Sequence, residues 1–191
     1  MSVVIYDPAT ERIHADSIMV DGHHRSTAQK IFTYTALFKK RNGEETEERG
    51  LAGFVGDPAI GYALIDAYTN GGYEGCEQRR KELLATMNEN YANSGDILII
   101  PEHTAYMWIS SGLSRPFFPV PKQLMVIGHP QITSRVYMRV NDGESVDTAL
   151  REIIAHNKER DADGLVDHPL MTLSMGGAND YCQFQLQDIV R

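Results

Sequence analysis

The chain of 191 residues is long enough for one large domain or two small ones, and its 42% hydrophobic residues can form a sizeable core. Eighteen basic against 26 acidic residues give a net charge of -8, which disfavours nucleic acid and anionic membranes as partners because both need a basic surface. Cys76 and Cys182 are isolated, and no apolar run is long enough for a signal peptide or a membrane span, so we expect a reduced, cytoplasmic setting. The histidines are scattered without ligand spacing, and we expect neither a metal nor a cofactor.

The first third of the chain predicts four strands. Residues 2–6 form a continuous apolar run typical of a buried strand, and residues 12–20 alternate as its hairpin partner after a turn at Asp7-Pro8. Residues 30–38 and 51–55 are rich in aromatic and β-branched side chains and predict two more strands. The polar segment KKRNGEETEER between them predicts a solvated loop over residues 39–49.

Helices and strands then follow one another in blocks. Asp57-Pro58 predicts the start of a helix and Asn70-Gly71-Gly72 its end, and a second helix is predicted over 76–91. The remaining predicted elements are strands at 96–100, 105–109 and 123–127, helices at 131–140 and 145–158, and strands at 170–175 and 183–190. Blocks of strands separated by pairs of helices indicate an α+β fold, with two sheets packed on one another and helices outside. Because no linker interrupts the chain, we predict a single domain over residues 1–191.

The register of the first hairpin predicts that Asp16 lies beside the start of the chain. With Pro8-Ala9 as a two-residue loop, Ser2 faces Ala15 and Met1 faces Asp16. Facing and diagonal residues of an antiparallel pair lie about 5–8 Å apart. The sequence therefore predicts a carboxylate within reach of residue 2.

A small hydroxyl residue at position 2 has a chemical use if Met1 is removed. Ser2 would then carry a free α-amine beside its hydroxyl, and this amine, with an ordinary pKa of about 8, could accept the hydroxyl proton. A nearby lysine would favour the alkoxide, a carboxylate would hold the lysine, and a backbone N–H would stabilise the oxyanion. The candidates for these three roles are Lys30, Asp16 and Gly53.

This set of residues resembles the N-terminal-nucleophile hydrolases of the proteasome β-subunit and HslV type. That family begins its first strand with a threonine, ends the second with an aspartate, opens the third with a lysine and enters its first helix through a glycine-rich segment. The matching segments here are Ser2, Ala15-Asp16-Ser17, Gln29-Lys30-Ile31-Phe32 and Leu51-Ala52-Gly53-Phe54-Val55-Gly56-Asp57. The resemblance implies a four-layer αββα sandwich over nearly the whole chain.

The resemblance also implies a reaction, the hydrolysis of amides through an acyl-enzyme. Ser2 would be nucleophile and base, with Lys30 and Asp16 as the charged pair that tunes it. Gly53 would donate to the oxyanion, and Asp161, in the segment Arg160-Asp161-Ala162, matches a supporting aspartate of the family.

A substrate groove and an assembly follow from the same resemblance. The residues expected to line the groove are Ser17, Val20, Ala52 and His129, the last standing in Ile127-Gly128-His129-Pro130 where the family has Gly-Ser-Gly. Family members form closed rings, which implies a homo-oligomeric ring or stacked rings with a peptide or unfolded protein as substrate, and leaves open an ATP-dependent unfoldase as partner. Four residues would suit contacts between subunits, although core packing explains them equally well: Tyr62, Tyr68, Tyr137 and Met138.

Three functions stay open from the sequence. The first is a serine-type peptidase that uses Ser2 after Met1 is removed. The second is a structural or interaction protein of the same fold that retains Met1 and performs no catalysis. The third is a hydrolase of non-peptide amides, since the same nucleophile serves other amides. The presence or absence of Met1 separates the first two.

Overall fold

The structure is a computed structural model, and it describes residues 2–21, 24–39, 43–87, 95–160 and 171–175. The strands in these ranges are β1 Val3–Asp7, β2 Arg12–Ala15, β3 Ile18–Asp21, β4 His24–Thr27, β5 Ile31–Lys39, β6 Glu45–Gly56, β7 Gly95–Pro101, β8 Tyr106–Ser111, β9 Phe118–Pro121, β10 Met125–Gly128 and β11 Met171–Ser174. The helices are α1 Pro58–Thr86, α2 Pro130–Asn141 and α3 Val146–Arg160. The predicted strand at 183–190 and the last part of the predicted helix over 76–91 lie outside the described residues.

The strands form two large antiparallel sheets that pack face to face. One sheet has the order β10-β1-β2-β11 and the other the order β5-β6-β7-β8-β9, while β3 and β4 form a separate hairpin. Side chains buried between the sheets include Val4, Ile13, Ile31, Leu98 and Ile127. Helix α1 packs on the other face of the five-stranded sheet, and α2 and α3 pack on the other face of the four-stranded sheet. The predicted α+β fold, a four-layer αββα sandwich, is confirmed.

Helix α1 consists of two helical segments joined at a kink, which agrees with the predicted stop at Asn70-Gly71-Gly72. It begins as predicted, because the Asp57 side chain accepts a hydrogen bond from the Ala59 N–H at 2.8 Å and Pro58 occupies the first turn. The 29 residues assigned to α1 are interrupted at Gly72, inside the predicted stop, where φ is 60° and ψ is -153° and the backbone is not helical. Glycine adopts this conformation at low cost, so Gly72 separates the first helical segment from the second.

The register of the first hairpin differs from the prediction. Val4 rather than Ser2 faces Ala15. The reason is a longer turn, in which the Asp7 carboxylate accepts hydrogen bonds from the Ala9 N–H at 3.0 Å and the Thr10 hydroxyl at 2.7 Å. The shift places Asp16 opposite Val3, so the carboxylate is still next to Ser2, with the Asp16 N–H donating to the Val3 carbonyl at 3.4 Å.

Three further differences concern the extent of strands. The predicted strand at 12–20 is divided into β2 and β3, and most of the predicted loop at 39–49 is strand, because β6 already begins at Glu45. Strand β9 was not predicted, since Pro119 and Pro121 are atypical of strands, but β9 lies at the edge of its sheet, where proline is tolerated.

Tyr68 was one of the residues predicted to suit subunit contacts. It is 4% exposed and packs in the core between α1 and the five-stranded sheet.

His14 is a buried histidine on the face of β2 that is turned toward α3. Its side chain lies within the fold, and Nδ1 is 3.2 Å from Oγ1 of Thr172 in β11. Burial lowers the pKa of the imidazole below its ordinary value of 6.5, although the carboxylates of Asp147 and Asp7 act in the opposite direction. The folded chain therefore holds this histidine in its neutral form at a pH where the unfolded chain would protonate it.

Acidification is expected to destabilise the fold through His14. Between the folded and unfolded pKa values the unfolded chain binds more protons, so the free energy of unfolding falls as the pH drops below about 6.5. His14→Asn retains an acceptor for Thr172 and does not titrate. Its urea midpoint should therefore decrease less than that of the wild type between about pH 7.5 and about pH 5.5. Equal decreases in the two proteins would show that His14 has no part in the acid response.

Candidate active site

The Lys30 ammonium lies within hydrogen-bonding distance of both Ser2 and Asp16. The Lys30 ammonium donates to the Ser2 hydroxyl at 2.9 Å and to Oδ2 of Asp16 at 2.6 Å. Oδ1 of Asp16 accepts the Val3 N–H at 2.6 Å. The structure thus brings together the hydroxyl, the cation and the carboxylate that the sequence predicted, although they come from the starts or ends of three different strands.

The Lys30–Asp16 pair is almost completely buried. Lys30 is 3% exposed and Asp16 is 8% exposed. Burial lowers the pKa of the Lys30 ammonium, while the charge of Asp16 and the hydrogen bond to it act in the opposite direction. Because Asp16 also binds the Val3 N–H, its carboxylate holds Lys30 at a defined position next to Ser2. A lysine held in its charged form there favours negative charge on the Ser2 oxygen.

Main-chain contacts position Ser2 and Lys30. The His129 N–H donates to the Ser2 carbonyl at 3.0 Å, and the Phe54 N–H donates to the Lys30 carbonyl at 3.0 Å. Gly128 has a φ of +119°, and a Cβ at this position would lie 2.1 Å from the Ser2 carbonyl oxygen, so only glycine permits this approach. This role of Gly128 was not predicted from the sequence, although a glycine between a strand and the start of a helix indicates a close approach of this kind.

Gly53 lies inside the five-stranded sheet, opposite Ile31 in β5 and Leu98 in β7. A Cβ at Gly53 would approach Cγ1 of Val4 to 2.8 Å and Cδ1 of Ile13 to 3.0 Å, so the packing of the two sheets at this position requires a glycine. Because the next residue donates toward β5, the alternation of an antiparallel ladder directs the Gly53 N–H toward β7. Donation to an oxyanion would compete with this ladder bond, and that role stays a prediction.

The residues predicted to line a substrate groove lie in different surroundings. Ser17 is buried next to Asp16, and its carbonyl accepts the Ala28 N–H at 2.8 Å. Val20 lies in β3 opposite Arg25. Ala52 is buried in the core against α1, so only its backbone could meet a substrate. His129 contacts Ser2 through its main chain, and Asp161 lies outside the described residues.

The described ranges offer neither a metal site nor a membrane-spanning helix. In those ranges no three His, Cys, Asp or Glu side chains are grouped closely enough to hold a metal ion. Each helix in them is too short or too polar to cross a membrane. The chemistry that the described side chains do support is activation of the Ser2 hydroxyl by a neighbouring positive charge.

Solved structures share this fold. The crystal structure of eukaryotic HslV from Trypanosoma brucei matches with a TM-score of 0.52 and 11% identity, over 91% of this chain and 99% of that chain. Anbu (ancestral beta-subunit) from Yersinia bercovieri matches with a TM-score of 0.57 and 14% identity, over 90% of this chain and 80% of that chain. No family model matches the chain, and a search of curated proteins found no match. The likeness shows that this chain has the fold of HslV and Anbu.

Proposed function

We propose that this chain is a peptidase of the HslV and proteasome type, in which Ser2 is the nucleophile after removal of Met1. The observation that carries the proposal is the pair of hydrogen bonds that the Lys30 ammonium donates, to Oδ2 of Asp16 at 2.6 Å and to the Ser2 hydroxyl at 2.9 Å. Ser2, whose hydroxyl accepts the hydrogen bond from Lys30, is also the residue that would gain a free α-amine on loss of Met1. Removal of Met1 is expected because serine is a small second residue.

The reaction would run with the nucleophile and the base on one residue. As the Ser2 Oγ attacks the carbonyl carbon of an amide, its proton passes to the α-amine and the carbonyl electron pair moves to oxygen. Lys30 favours the charge that develops on Oγ and favours the neutral form of the amine. When the adduct collapses, the C–N bond breaks, the amine gives its proton to the leaving nitrogen, and an ester remains on Ser2. Water then attacks the ester by the same route, which releases the acid and restores the hydroxyl.

Exposed aromatic side chains support a homo-oligomer. Tyr73, Tyr106 and Phe118 are between 38% and 42% exposed. The ring of Trp108 lies 4.7 Å from that of Tyr73 and 5.4 Å from that of Tyr106. Contiguous exposed aromatic groups are typical of protein interfaces, and Met138, 66% exposed on α2, offers a further contact. We propose further copies of this chain as the occupants, in a ring that receives peptide or unfolded protein; an unfoldase partner and a cytoplasmic setting stay predictions.

Covalent labelling of the intact chain tests the proposal. A peptide epoxyketone forms a stable ring where a hydroxyl and a free amine belong to the same residue, because the hydroxyl adds to the ketone and the amine opens the epoxide. We expect a mass that lacks Met1 and includes one probe, with the adduct on Ser2 after digestion. A chain that retains Met1 and gains no mass would overturn the proposal in favour of a structural or interaction protein. Light scattering of the same sample should give several copies per particle, and a monomer would contradict the ring.

A further inference from the structure

The imidazole of His129 contains a buried nitrogen without a partner. Its Nδ1 atom is shielded from solvent and has no hydrogen bond within the described ranges. Among the buried side-chain nitrogen and oxygen atoms of the described ranges, it is the one that has no hydrogen-bond partner. A buried nitrogen without a hydrogen bond destabilises the fold. Its presence therefore indicates that His129 has a role other than stability, in which Nδ1 acquires a partner.

His129 faces Ser2 across the β1–β10 pair. Val3 faces Gly128, and the His129 N–H donates to the Ser2 carbonyl at 3.0 Å, which continues the pair by one residue. The missing side chain of Gly128 allows this close approach, since a Cβ would lie 2.1 Å from the Ser2 carbonyl oxygen. Facing residues of an antiparallel pair have Cα atoms about 4.5–5.5 Å apart, a distance that an imidazole can span.

The main-chain nitrogen of Ser2 also lacks a partner among the described residues. In a regular antiparallel pair it would donate to the carbonyl of His129. That carbonyl already accepts the N–H groups of Ile132 and Thr133 at 3.0 Å and the Thr133 hydroxyl at 3.2 Å, where α2 begins. Two nitrogens without partners therefore belong to residues that face each other, and loss of Met1 would turn that of Ser2 into an amine with additional hydrogens to donate.

We infer that Nδ1 of His129 accepts a hydrogen bond from the α-amine of Ser2 once Met1 has been removed. The inference rests on the proposed function and makes His129 a positioning residue. The bond restrains the amine and leaves its lone pair free to take the Oγ proton, and no proton passes to His129. His129 therefore positions the amine of the nucleophile, whereas the sequence predicted that it lines the substrate groove.

Two substitutions separate this role from a structural one. His129→Leu removes the nitrogen and retains much of the volume, whereas His129→Asn keeps an acceptor near the position of Nδ1. With saturating peptide epoxyketone, the maximal labelling rate should fall about 10–100-fold in His129→Leu, while the half-saturating concentration stays within about twofold. His129→Asn should label within about threefold of the wild type. The melting temperature of His129→Leu should fall by no more than about 2–4 °C, the decrease expected for the loss of one hydrogen bond.

The outcomes distinguish the inference from the function beneath it. If His129→Leu labels as fast as the wild type, the inference is overturned and Ser2 remains the nucleophile. The inference is also overturned if His129→Asn labels as slowly as His129→Leu, or if the slower labelling accompanies a decrease in melting temperature well beyond about 4 °C. A wild-type chain that forms no adduct on Ser2 would overturn the proposed function, and the inference with it.

Discussion

Replacing Ser2 with alanine is expected to abolish both labelling by the peptide epoxyketone and hydrolysis of peptides. Alanine has no hydroxyl, so neither the ketone adduct nor the ester intermediate can form. Because alanine is as small as serine, Met1 should be removed from the variant as well, and the variant then presents the same free amine. The loss of activity would therefore come from the hydroxyl alone.

The fold should tolerate this change. The Ser2 hydroxyl accepts a hydrogen bond from Lys30, which keeps its bond to Asp16, so the expected cost is about 1 kcal/mol. Ser2→Thr should still label, because it retains the hydroxyl. Ser111→Ala is a matched control at an exposed serine bonded to Asp96 at 2.8 Å, and it should label like the wild type. Labelling of Ser2→Ala at the wild-type rate would exclude Ser2 as the nucleophile.

The parts of the fold that depend on neighbouring residues could be predicted from the sequence. Asp57-Pro58 starts a helix, as predicted. Ser2, Asp16 and Lys30 lie next to the ends of strands, as the apolar patterns indicated. The register of the first hairpin could not be predicted, because it depends on how the Asp7 carboxylate folds the turn. Even so, Asp16 stays next to Ser2, since a shift of two residues preserves the face of the sheet on which a side chain lies.

The remaining features of the candidate site depend on contacts between distant segments. Gly53 is required by Val4 and Ile13 of the opposite sheet, and Gly128 by the carbonyl of Ser2. The sequence does not indicate that Nδ1 of His129 is unpaired, because the hydrogen-bond partners of a buried atom depend on the folded structure. A glycine in the sequence indicates that some conformation or close approach needs it, but the approaching atom is defined by the packing of the sheets.

Replacing Lys30 with methionine is expected to reduce both stability and activity. The variant fills a similar volume but leaves the Asp16 carboxylate, 8% exposed, without this counter-charge. Removing one partner of a buried ion pair costs about 3–5 kcal/mol. The rate of labelling of the folded variant should fall about 100–1,000-fold, because the positive charge next to the Ser2 oxygen is lost. Urea unfolding and labelling rates measure the two effects separately.

The double variant Lys30→Met with Asp16→Asn separates the two contributions of the pair. The introduced asparagine is neutral and can still accept the Val3 N–H through its side-chain carbonyl oxygen, so most of the stability should return. Labelling should not recover, because the ammonium is still missing. Lys30→Arg is the converse control: it retains the charge, but its planar fork cannot reproduce single-atom donation to both partners, so labelling should fall with a smaller loss of stability. If the double variant labelled at the wild-type rate, the buried pair would serve only to join the two sheets, and the activation of Ser2 would need another source of charge.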